Sequence, residues 1–137
     1  MSLAVSHTTL NARDAHALSV WWADLLGYAE DPDDPNEPGH AECMIYSPDL
    51  RHRILFIDAE ELGESRRMHF DLASPDGTRD AEVARAIDLG ASLVADRRTE
   101  DGRGWVVLAD PEGNHFCIVR GESERAAAGD PFVPLAR

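Results

Sequence analysis

Positive charge is scarce in this chain. Its 137 residues carry 13 Lys and Arg against 26 Asp and Glu, a formal net charge of −13. Phosphate backbones are met with clustered basic side chains, so this balance excludes a general nucleic-acid binder. It also opposes adsorption to anionic membranes. No apolar run approaches the roughly 20 residues needed to span a bilayer. The opening stretch MSLAVSHTTLNARD has neither the basic nor the apolar segment of a secretion signal. Only two cysteines occur, Cys43 and Cys117, with no CxxC spacing. They offer no disulfide framework, and reduced thiols in a cytoplasmic protein are the expectation. A hydrophobic content of 43% suits a single soluble domain with a buried core.

What the chain does contain is a repeat. Leu18, Trp21, Trp22, Leu25 and Leu26 follow the spacing of an amphipathic helix, with Asp14 placed to cap its start and Gly27 to end it. A strand is expected upstream, over residues 4–10. In the second half a strand over 68–73 leads into a helix over 79–89, which Gly90 stops. His7 and His69 stand 62 positions apart, and the two Leu-Gly pairs at Leu26 and Leu89 stand 63 apart. Two strands follow each helix, joined by turns whose prolines, Pro48 and Pro111, are again 63 apart. The acidic, proline-rich segment 30–40 reads as a solvated loop or a lid. The C-terminal segment 121–137 lies outside the repeat, and its Phe132, Val133 and Leu135 are candidates for docking on the domain or a partner subunit.

His7 in SHTTL, the helix ending WWADLLGY, the strand RRMHFDL and the hairpin DPEGNHFCIV together resemble the vicinal oxygen chelate superfamily. This is the glyoxalase/bleomycin-resistance/dioxygenase fold, and the last two motifs resemble a glyoxalase-like subgroup within it. The resemblance implies an α+β domain in which two tandem βαβββ modules, about 4–60 and 66–120, form a curved mixed sheet around a small-molecule cleft. It also supports a homodimer. Metal-dependent members place two ligands per module, on the first and last strands. Those positions fall on His7 and His69, on Cys117 where such members carry a carboxylate, and, counting back 63 positions, on Ile54.

Two imidazoles, one thiol and one hydrocarbon make an incomplete ligand set. Zinc or copper suits His and Cys, but the carboxylate favouring harder metals is missing. Strand alternation supplies the rest of the expected cleft. Asp71 shares a face with His69, His115 with Cys117, Phe56 and His52 with Ile54, and Thr9 with His7. Tyr46 and Trp105 are expected as aromatic walls.

Three functions are compatible with these residues. The first is a small-molecule-binding protein with no cofactor and no complete catalytic metal site. The second is a lyase, isomerase or dioxygenase-like enzyme using a divalent metal on His7, His69 and Cys117. The third is a metal-free enzyme in which His69 and Asp71 perform acid–base chemistry. Glyoxalase I activity itself is not expected.

Overall fold

The computed structural model describes residues 5–59 and 69–130; Met68, Phe132, Val133 and Leu135 lie outside them. The chain divides into two compact units, Met1–Glu64 and Ser65–Arg137. Each contains one half of the repeat and one mixed sheet.

In the first unit, β1 (Thr8–Ala12) leads into helix α1 (Ala15–Leu26), and a hairpin of β2 (Glu42–Tyr46) and β3 (Arg53–Asp58) follows. The Asp14 carboxylate caps the helix, accepting from the Ala17 amide at 3.0 Å. Gly27 ends it at φ 70°, a conformation that a β-carbon disfavours. Leu18, Trp22 and Leu25 are buried, and the Trp22 ring meets Trp21 edge-on at 5.3 Å. β3 is central, parallel to β1 and antiparallel to β2. Its pairing sets Cys43, Ile45, Ile54 and Phe56 on one face, all buried, and α1 packs over it.

The third strand that a βαβββ module implies after α1 is reduced to one bridge, Ala29 with Tyr46. The acidic loop continues along the β2 edge. Asn36 bonds both backbone groups of Met44 with its side chain, at 2.8 and 3.3 Å, as a neighbouring strand would. Glu30 Oε2 accepts from the Asn36 amide at 2.7 Å. The loop therefore protects a sheet edge that would otherwise be open to pairing. In the β2–β3 turn, Leu50 adopts φ 60°, which costs a residue with a β-carbon about 1–2 kcal/mol. Ser47 holds that turn, accepting from the Leu50 amide at 2.9 Å and bonding Asp49 at 2.7 Å.

The second unit runs β4 (Phe70–Leu72), α2 (Arg79–Asp88), β5 (Ser92–Asp96), β6 (Val106–Ala109), β7 (His115–Ile118) and α3 (Glu122–Ala127). Its sheet order is β4-β7-β6-β5, with β4 and β7 parallel. Thr78 caps α2 by accepting from the Ala81 amide at 3.2 Å. Phe116, Leu108, Val106 and Ile118 form its core with Val83 and Ala86 of α2. The turn between β6 and β7 closes on buried Asp110, whose carboxylate accepts from the Glu112 and Asn114 amides, each at 2.9 Å. Gly113 supplies its positive φ of 87°. The short helix α3 occupies part of what the sequence marks only as a tail. Among the described residues, no helix is long and apolar enough to cross a membrane.

Arg79 is the one buried guanidinium among the described residues. Its Nη1 donates to the carbonyls of Gly102, Arg103 and Gly104 at 3.2, 2.9 and 3.1 Å. Arg79→Ala orphans these carbonyls and lowers the unfolding free energy in urea by about 2–3 kcal/mol. Asp80→Ala removes an exposed partner only and costs under about 1 kcal/mol. Equal losses in the two variants contradict this assignment.

Candidate functional site

The parallel pairing of β4 with β7 places Phe70 beside Phe116 and Asp71 beside Cys117. Side chains alternate across a strand, so the phenylalanines face α2 while Asp71 and Cys117 face the other way. Val107 pairs with Cys117 on that face. His69 and His115 share its parity, as does Trp105, 45% exposed just ahead of β6.

On this face three side chains converge. One ligand atom each from His69, Asp71 and Cys117 lies within 4.8 Å of the others. His69 Nε2 stands 3.4 Å from Asp71 Oδ1, and both side chains reach solvent. Cys117 is buried. Burial pushes its thiol pKa up, and the Asp71 carboxylate raises it further, through its charge and by accepting the thiol's hydrogen bond. Asp71 is thus the shared partner of an imidazole and a thiol. Cys117 stays protonated, which disfavours it as a nucleophile. Burial is also the main cause of the raised pKa of Cys43, beneath α1.

Donor chemistry decides how the trio fits a metal. An imidazole, a carboxylate and a thiolate suit a borderline ion such as zinc and leave a coordination position open. They suit oxygen-seeking ions poorly, because a single carboxylate is the only hard donor. Any metal must also displace the Cys117 thiol proton, whose hydrogen bond Asp71 accepts. Asp71, expected from the sequence as a base, stands here among the potential ligands; the His-x-Asp spacing on one strand face is the signal for it.

The first unit requires a correction. Ile54 and Phe56 were expected to face the cleft, but both are fully buried on the face that α1 covers. The turn between β2 and β3 contains residues 47–52, whereas that between β6 and β7 contains 110–114, one fewer. The 63-residue offset therefore falls to 62 beyond the turn, and Leu55 becomes the counterpart of Cys117. A one-residue slip moves every side chain of a strand to the opposite face. The 62-residue spacing of His7 and His69 carried the correct offset for the outer strands. His52 bonds within the unit, Nδ1 with Tyr28 Oη at 2.8 Å and Nε2 with Thr8 Oγ1 at 3.2 Å. Thr9, Leu55 and Tyr46 lie on the face away from α1, by their pairing with β3. His7 sits ahead of β1, its Nδ1 3.0 Å from Ser6 Oγ.

The raised pKa of Cys117 gives a kinetic expectation. In a Cys43→Ala background, alkylation of Cys117 by iodoacetamide accelerates with pH through a midpoint above that of an ordinary thiol. Asp71→Asn removes the charge that raises it, so the midpoint moves down. An unchanged midpoint contradicts the Asp71–Cys117 contact.

Comparison with known proteins agrees with this architecture. The sequence profile of the Glyoxalase-like domain matches residues 7–119. No curated protein matches the chain in sequence. Among solved structures, a glyoxalase/bleomycin resistance protein/dioxygenase family enzyme from Burkholderia phytofirmans PsJN is similar with a TM-score of 0.61 and 24% identity, over 82% of this chain and 94% of its own. The fosfomycin resistance protein FosX from Listeria monocytogenes, solved as a variant with Mn(II) and 1S,2S-dihydroxypropylphosphonic acid, gives a TM-score of 0.63 at 20% identity, over 93% and 99%. Lactoylglutathione lyase from Agrobacterium tumefaciens gives 0.59 at 21%, over 86% and 93%. At these identities the structures share the fold, which hosts unrelated chemistries. The chain belongs to the Glyoxalase-like domain family, and it shares its fold with a glyoxalase/bleomycin resistance protein/dioxygenase family enzyme.

Proposed function

We propose that this protein binds a small, partly apolar organic molecule on the face of the second sheet that carries His69, Asp71 and Cys117, without a resident catalytic metal. The observation behind this reading is the pairing of Asp71 with Cys117 across β4 and β7, which sets a carboxylate beside a buried thiol. A carboxylate already accepting a thiol proton, beside an imidazole, forms a polar patch suited to hydrogen-bonding a carbonyl or hydroxyl group. Trp105, Val107 and the stem of His115 offer apolar surface around it, the usual composition of a small-molecule site. Proton exchange between His69 and a bound carbonyl compound is the chemistry that this patch favours. The name of one fold neighbour includes fosfomycin resistance and another is a lyase.

A second reading rests on the convergence of three donors within 4.8 Å. In it, His69, Asp71 and the deprotonated Cys117 hold a zinc-like ion, which supplies Lewis acidity when bound. Cobalt(II) substitution tests it. A thiolate–cobalt absorption band that disappears in Cys117→Ser supports it.

Thermal-shift screening with carbonyl metabolites and aromatic acids tests the preferred reading. A ligand at a hundredfold excess over its Kd stabilises the protein by about 2.7 kcal/mol. His69→Ala and Asp71→Asn are expected to abolish that shift without lowering the ligand-free melting temperature by more than a few degrees. A ligand that stabilises both variants as well as the original protein binds elsewhere and overturns the assignment.

A further inference from the structure

The first unit contains a cleft of about 640 Å³ that owes nothing to the His69 cluster. This volume falls in the range of small-molecule sites. Ala29, Pro32, Tyr46, Pro48, Leu50 and Arg53 are among the residues that line it. We propose that this cleft binds a monoanionic small molecule, of the aryl or alkyl carboxylate class, with its charge on Arg53 and its apolar body against Tyr46, Leu50 and the two prolines.

Three observations carry the assignment. The walls are fixed before any ligand arrives. Ala29 and Tyr46 exchange two backbone hydrogen bonds, at 3.0 and 2.8 Å, and Asn36 ties the loop to Met44. A preformed site avoids much of the ordering cost of binding.

Arg53 is held and yet has no carboxylate partner among the described residues. Its Nε donates to the Ser6 carbonyl at 3.1 Å and its Nη2 to Ser6 Oγ at 3.4 Å. In a chain with twice as many acidic as basic residues, a guanidinium oriented by neutral groups and left without a counterion is available to an anion.

Leu50 is the third. It is 74% exposed, lines the cleft, and holds a left-handed backbone conformation at φ 60°. Gly or Asn would occupy that turn position without strain. Strain maintained at an exposed apolar residue beside a cleft is characteristic of a ligand contact.

The acidic lining limits the charge of the occupant. Glu30 and Asp31 border the same cleft, each already accepting a backbone amide hydrogen bond, at 2.7 and 2.9 Å. Two carboxylates on the lining of the same cleft oppose a second negative charge on the occupant, such as that of a phosphate monoester.

Amide-resolved NMR titration of the full chain with phenylacetate, phenyl phosphate and phenethylamine tests the proposal. Phenylacetate is expected to shift the Tyr46, Leu50 and Arg53 amides saturably, with the other two probes at least about tenfold weaker. Arg53→Gln is expected to weaken phenylacetate about tenfold or more while keeping a dispersed folded spectrum. Leu50→Gly, which relieves the strain, is expected to raise the melting temperature and still weaken binding several-fold. The proposal is overturned if phenylacetate fails to saturate below about 10 mM, or if its shifts fall on residues 69–71 and 115–117 instead. It is equally overturned if Arg53→Gln binds unchanged, or if phenethylamine or phenyl phosphate binds as tightly as phenylacetate.

Discussion

Each unit depends on the same long-range pairing, that of its first strand with its last. Thr8 pairs with Ile54 in one unit and Phe70 with Phe116 in the other, 46 positions apart in both. Parallel strands cannot be joined by a tight turn, so a helix and one or two further strands must fit between them. That ladder sets the register, and the register decides which side chains α1 or α2 covers. In the second unit it brings Asp71 beside Cys117. In the first it buries Ile54 and Phe56 and leaves Leu55 on the other face.

The outcome of the sequence reading follows from the range of each interaction. Features set by neighbouring residues were legible: Asp14 and Gly27 bound α1 as the capping pattern indicates, and the Asp110–Asn114 turn forms the anticipated hairpin. The faces of β4 and β7 were legible as well, since alternation needs only one anchored position. The face of β3 was not. It depended on a difference of one residue between two turns, which a repeat argued from spacing alone absorbs silently. The strapping of loop 30–40 by Asn36 was also hidden, because a side-chain amide imitating a strand has no periodic signature. Helix α3 was missed in a segment whose charged composition resembles a solvated tail.

The chemistry of the candidate site turns on how one carboxylate is shared. Asp71 serves the imidazole of His69 and the proton of Cys117 together. If the thiol keeps its proton, the group is a hydrogen-bonding patch. If a metal displaces that proton, the same three atoms become ligands. A glutamate at position 117 would carry no such proton near neutral pH and would add a second hard donor. Sulfur at position 117 is therefore what separates this trio from an oxygen-rich metal centre.

Elemental analysis of the full chain, purified without chelator and with zinc and manganese present during expression, tests this account most directly. The account predicts well under one equivalent of any transition metal per chain, with no change on His69→Ala. One equivalent of zinc or manganese in the original protein, lost in His69→Ala and in Cys117→Ser, would contradict it and make the trio a metal centre.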